Sequence, residues 1–214
     1  MKLISTSFAN NAPIPAEFAF GTIADPGPVA LSANRNPHLA WTDVPDGVLS
    51  FAVVCHDPDV PSRPDDVNQA GREVPEDLPR VDFFHWVLIN LPAGTREIAA
   101  GSHSHGVTPR GKKGPQPELP VAAGVRHGLN DYTGWFAGDA DMGGDYYGYD
   151  GPCPPWNDSI VHRYIFTVYA LDVPRLEVAE HHPLTGAQVL AALEGRVVAS
   201  AAVCGTYTLN RRLA

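Results

Sequence analysis

Residues 83–92 read FFHWVLINLP, a run without a single charged side chain. It is rich in β-branched and aromatic residues, closes on a proline and is too short for an uncapped helix, so it is a strand. Two other runs share its character, LSFAVVCH at 49–56 and HRYIFTVYALD at 162–172. In FFHWVLINLP and HRYIFTVYALD both alternate sets of side chains are mostly apolar, the pattern of central strands covered on both faces. Regular pleating puts His85 on the side of Phe83, Val87 and Ile89, with Trp86 opposite. It puts His162 on the side of Tyr164, Phe166 and Val168, with Arg163 opposite.

Outward from these strands, LSFAVVCH runs into CHDPDVPSR, residues 55–63, in which Asp57 and Asp59 stand on a proline-stiffened corner. Two long loop-like segments follow, 57–82 and 99–161. The second is rich in Gly and Pro but also holds Tyr132, Trp135, Phe136, Tyr146, Tyr147, Tyr149 and Trp156, which implies a segment packed down on the core. TGAQVLAALEGRVVASA, 185–201, reads as a helix capped by Thr185, with Leu190, Leu193, Val197 and Ala201 on one stripe. GTYTLN at 205–210 reads as a last short strand, and residues 1–48 as short strands and turns.

The length of 214 residues suits one domain, 1–214, and 21 prolines with 20 glycines favour short strands joined by stiff loops. A formal charge of −9 argues against nucleic-acid binding, and RGKK at 110–113 is the one basic cluster. Cys55, Cys153 and Cys204 are spaced neither as a zinc ribbon nor as a disulfide framework, so reduced thiols are expected. The N-terminal residues lack the apolar stretch of a secretory signal, and no window approaches a membrane span; a soluble cytoplasmic protein without integral membrane association is expected.

Two histidines at the ends of buried strands, beside an acidic corner, make a candidate site. A phosphate or carboxylate would accept hydrogen bonds from His85, His162 and backbone N–H groups near Gly151, with Tyr164 as a further donor. Asp57 beside an imidazole would fix its tautomer and favour its charged form. Asp59 and Arg163 are expected to pair and, with Pro61, to hold the corner. In YDGPCPPW at 149–156, Gly151 frees the backbone while Pro152, Pro154 and Pro155 stiffen it. Two rival functions remain: a phosphoester hydrolase using Asp57, His85 and His162 as acid, base or metal ligands, and an interaction module that docks a kinase or protease. HSH at 103–105 is a weaker metal candidate, and no nucleophile stands in a recognisable motif.

DPDVPSR, FFHWVLINLP, GPCPP and HRYIFTVYALD, in that order, with NPHLAW at 36–41 and GTY at 205–207, resemble the phosphatidylethanolamine-binding protein family, in its bacterial Raf kinase inhibitor-like branch. The resemblance implies a mostly β, antiparallel Greek-key sandwich with a helix near the C-terminus, and a non-catalytic pocket for phosphate or phospholipid head groups. It implies that Asp57 and Asp59 form the Asp-Pro-Asp motif, His85 the strand histidine, Gly151 and Pro152 the pocket loop, and His162, Arg163 and Tyr164 the His-Arg-Tyr motif. No cofactor or metal is implied, a homodimer is expected, and residues 64–82 form an extra loop that would narrow or cover the pocket.

Overall fold

The three apolar runs become the middle of a six-stranded sheet. The structure, a computed structural model, describes residues 1–117, 122–178 and 183–214. Its strands are β1 (Lys2–Ile4), β2 (Ala12–Pro13), β3 (Gly21–Ile23), β4 (Val29–Leu31), β5 (Leu39–Thr42), β6 (Ser50–Pro61), β7 (Arg80–Pro92), β8 (Glu97–Ile98), β9 (Arg126–His127), β10 (His162–Leu171) and β11 (Val197–Tyr207). The α-helices are α1 (Tyr132–Trp135) and α2 (Gly186–Leu193). The main sheet has the order β2-β11-β10-β6-β7-β9, all antiparallel except the short β2–β11 pairing. A three-stranded sheet, β1-β5-β8, and the β3–β4 pair complete a mostly β protein.

Both faces of the main sheet are covered, as the doubly apolar strands require. On one face Phe51, Val53, Trp86, Leu88, Phe166 and Val168 meet Leu39 and Trp41 of β5 and Ile98 of β8. On the other, Ala52, Val54, Phe84, Val87 and Ile89 lie beneath Leu184 and the α2 residues Val189 and Leu193. Each fully buried large side chain contributes roughly 1.5–3 kcal/mol, so these two layers dominate the stability.

Three expectations change. The Asp57–Pro58–Asp59 stretch is no corner: β6 continues through it to Pro61, and the following loop shrinks to 62–79. A proline is tolerated there because the ladder is already irregular, with a register shift between Asp57 and Val60. A second shift alters the site directly. Cys55 pairs with Trp86 and His56 with Phe84, which leaves His85 as an extra residue in β7. Regular alternation therefore fails at His85. Phe84 joins Val87 and Ile89 beneath α2, whereas His85 lies against Tyr164, ring centroids 5.1 Å apart, and against Phe83 at 4.9 Å. His85 and Phe83 share a side, as expected, but it is the side opposite to Val87 and Ile89.

The helix also ends early. Thr185 caps α2 through a reciprocal pair of bonds with Gln188, and the helix stops at Leu193. Gly195 turns the chain at φ +70°, and β11 runs from Val197 along the whole of β10, His162 opposite Tyr207. The unpaired edge of β10 and the Val-Val start of β11 outweigh the helical stripe. At the other end of α2, a Cβ on Gly186 would fall 2.2 Å from the Phe84 ring, so helix and sheet meet without room for a methyl group. Gly186→Ala, a change that stabilises an exposed helix, is expected to lower stability here by about 1–3 kcal/mol, read as a lower urea midpoint with unchanged slope.

Candidate functional site

β6, β7 and β10 end around a cavity of about 280 Å³. Its polar lining includes Asp57, His85, His162 and Tyr164; its walls are Phe20, Phe83, Tyr132, Trp135, Phe136, Pro154 and Pro155. The alternation of β10 brings His162 and Tyr164 to one side, and the irregular register of β6 and β7 adds Asp57 and His85. Pro61, at the end of β6, also lines it.

His162 is completely buried, and both ring nitrogens are engaged. Nδ1 donates to Asp57 Oδ2 at 2.7 Å and Nε2 to Asp158 Oδ2 at 3.0 Å. Burial opposes its charge, but the hydrogen bonds to Asp158 and Asp57 outweigh burial and raise its pKa to about 9. His162 is therefore an imidazolium clamp between two carboxylates, with no N–H left for the ligand it was expected to hold. Asp158 also takes two bonds from the Arg80 guanidinium, at 2.6 and 3.1 Å, so the two buried carboxylates are matched by two cations. Although burial disfavours its charge, His162 and Arg80 hold Asp158 below the usual carboxylate range.

His85 is the complementary case. Its Nδ1 donates to the main-chain carbonyl of Asp150 at 2.8 Å, which fixes the tautomer and leaves Nε2 as an acceptor. Burial lowers its pKa, and the nearby Asp57 only partly offsets this. Asp150 is itself fixed by Asn34, Asn130 and Lys112, whose nitrogens lie 2.7, 2.8 and 2.5 Å from its carboxylate. The hydroxyl of Tyr164 is buried near the Asp57 carboxylate, and burial with that charge keeps it protonated, but it makes no hydrogen bond of good geometry among the described residues.

Gly151 and Pro152 support the wall from behind. The Gly151 N–H donates to Asn34 Oδ1 at 2.8 Å, its carbonyl accepts from Tyr132 Oη at 2.8 Å, and a Cβ would lie 2.1 Å from Phe18 O. The Pro152 carbonyl accepts from Phe20 N. Neither lines the cavity; Cys153, Pro154 and Pro155 do. Burial pushes the Cys153 thiol up to about 12, so it stays protonated. Asp59 takes three bonds from Arg163, at 2.7–2.9 Å, and so joins β6 to β10. Residues Arg63, Pro64, Val67 and Asn68 of the 62–79 segment form part of the cavity wall, and the Asn157 side chain pins that segment through Asp66, Asn68 and Arg72.

Asp158, Arg80, Asp150 and Tyr132 complete the site without being marked as site residues by any motif in the sequence. DSIVH does carry a signal, an acid four residues before His162, but only strand pairing reveals that Arg80 neutralises it. The His162 clamp has a pH signature. With a folded pKa of about 9 against 6.5 for a free imidazole, its stabilisation is complete below about pH 6.5 and is lost as pH rises through about 9. Wild-type stability is expected to fall across that window by on the order of 3 kcal/mol, and the fall to flatten in His162→Gln and shrink in Asp158→Asn, measured by urea unfolding at stepped pH.

Comparison with known proteins agrees with this architecture. The family model described as phosphatidylethanolamine-binding protein matches residues 4–208. The UPF0098 protein YbhB of Escherichia coli is 32% identical over 208 residues, covering 97% of this chain and 100% of that protein. Among solved structures, YbcL of E. coli, described as a new member of the mammalian family, superposes with a TM-score of 0.65 at 24% identity, covering 97% of each chain. A Chlamydia trachomatis homologue gives a TM-score of 0.59 at 27% identity, covering 96% of this chain and 95% of that one. The chain belongs to the phosphatidylethanolamine-binding protein family.

Proposed function

We propose that the pocket binds a small phosphate-type head group, free or carried on a phospholipid, without hydrolysing it. The observation that carries this reading is the buried Tyr164 hydroxyl without a partner, lining the same cavity as the acceptor nitrogen of His85. A buried hydroxyl left unpaired costs roughly 1–3 kcal/mol, which an acceptor oxygen on a ligand would recover. A phosphate oxygen can take that bond, and a phosphate proton, or one taken up by His85, supplies the bond to Nε2. The aromatic wall suits an ammonium group or the first carbons of a lipid chain.

The non-catalytic part rests on the state of the candidate reactive groups. His162 is protonated and held on both nitrogens, so it has no lone pair with which to take a proton. The Cys153 thiol is un-ionised at neutral pH. His85 alone of the two histidines offers an acceptor, so a phosphomonoesterase assay belongs beside every binding measurement; sustained turnover that disappears in His85→Ala would replace binding by hydrolysis.

Calorimetry with inorganic phosphate and with phosphoethanolamine distinguishes the free anion from the lipid head group. Tyr164→Phe is expected to weaken binding about tenfold and His85→Ala more, with the fold retained. Affinity is expected to rise as pH falls, because His85 is mostly neutral when empty and a bound anion favours its protonated form. Titrations in buffers of different ionisation enthalpy count the protons taken up. Binding indifferent to Tyr164 and His85 would exclude this pocket.

A further inference from the structure

A second, larger cavity of about 690 Å³ shares no lining residue with the first. Arg110, Lys112 and Lys113 of the RGKK cluster line it, together with His103, His105 and His127, and none of the described lining residues is acidic. In a chain of formal charge −9 this is a local reversal of sign. The basic segment is fixed in place. Gly111 turns at φ +84° with room for no side chain, since a Cβ would lie 2.1 Å from Asp145 O. Gly114 packs on the Tyr147 ring, and Lys112 is anchored at 2.5 Å on Asp150.

Three buried or half-buried rings give the cavity a directed donor. Trp86 is fully buried, and its indole N–H has one acceptor among the described residues, His127 Nδ1 at 3.4 Å. His127 then carries its proton on Nε2 and donates it to His103 Nδ1 at 3.3 Å. His103 in turn must hold its proton on Nε2, where no partner stands among the described residues. Nδ1 of His127 also approaches Val87 O at 3.4 Å, but donating there would leave the Trp86 indole unsatisfied. Burial keeps both rings neutral, with pKa values lowered to about 4 for His103 and about 3 for His127, so the relay is set at neutral pH.

We propose that this cavity is a second anion site, for small molecules carrying two or more adjacent phosphate groups, held by Arg110, Lys113 and the Nε2–H of His103. Arg110, with one guanidinium nitrogen on the Ala140 carbonyl at 3.0 Å, and Lys113 are two exposed cations on a fixed backbone that offer charge to two neighbouring phosphates, whereas Lys112 serves as the tether to Asp150. A single phosphate would engage only part of this set. The cavity also has more than twice the volume of the first, and Tyr147 offers an aromatic face to whatever the phosphates carry.

The test uses the full chain and inorganic pyrophosphate, titrated by calorimetry at low and at physiological salt. Imidazole signals of His103 and His127 are followed in parallel by nuclear magnetic resonance. One saturable event that moves both imidazoles is expected, tighter for pyrophosphate than for orthophosphate when read on those signals and weakened by added salt, whereas phosphate entering the first cavity leaves them unmoved. Arg110→Gln with Lys113→Gln, both at exposed positions, is expected to weaken it by at least about tenfold. Tyr164→Phe should leave it unchanged, since that residue belongs to the first cavity. The proposal is overturned if the His103 and His127 signals show no saturable binding, report equal affinity for orthophosphate, still shift in the double substitution, or no longer shift in Tyr164→Phe. That last outcome would move the pyrophosphate to the first pocket, and so leaves the two sites separately testable.

Discussion

The buried imidazolium of His162 is the interaction around which the first cavity is assembled. It joins Asp57 of β6 to Asp158, which precedes β10, and Asp158 reaches on to Arg80 at the start of β7. Three strand ends that diverge from the regular ladder are thereby held together by charge. Such an array is stable out of water only when complete: removing one member of a buried ion pair typically costs 3–5 kcal/mol, because its partner stays charged without compensation. The same completeness leaves this histidine no N–H to spare. All its hydrogen-bonding capacity is directed at the protein, whereas His85 keeps Nε2 and Tyr164 its hydroxyl without a hydrogen bond among the described residues.

Much of the fold was legible because it rests on patterns that one strand displays by itself. The doubly apolar runs announced central strands, and Thr185 announced the capped start of α2. What was not legible depends on pairs of strands. The extra residue at His85 exists only as a mismatch between β6 and β7, so no periodicity within β7 could reveal it. The end of α2 was equally hidden, because Val197 and Ala201 fit a helical stripe as well as a strand, and the free edge of β10 decides between them. Asp57, His85, His162 and Tyr164 were recognised as neighbours, but their division of labour was not. That division follows from Asp158 and Asp150, acids whose importance is set by what they touch.

Asp150 connects the two cavities by its two ends. Its carboxylate is held by Lys112 and by the amides of Asn34 and Asn130, while its main-chain carbonyl holds His85 Nδ1. The peptide N–H of Asp150 also bonds to the His85 carbonyl at 3.0 Å, so the two residues grip one another in both directions. The long Gly- and Pro-rich segment between β7 and β10 is therefore a structural partner of the sheet. Its aromatics serve as wall: Tyr132 stacks on Phe20 at 4.6 Å and meets His85 edge-on at 5.6 Å.

The odd residue in β7 also constrains how this strand can change length. Because a strand presents alternate residues to opposite faces, deleting His85 alone would restore unbroken alternation with Phe83 still on the cavity side and Phe84 still opposite His56 beneath α2. A single missing codon would take the acceptor imidazole out of the pocket and leave the occupants of the core where they are. The bulge thus makes β7 adjustable in length at one place, where the residue serves the pocket and not the core.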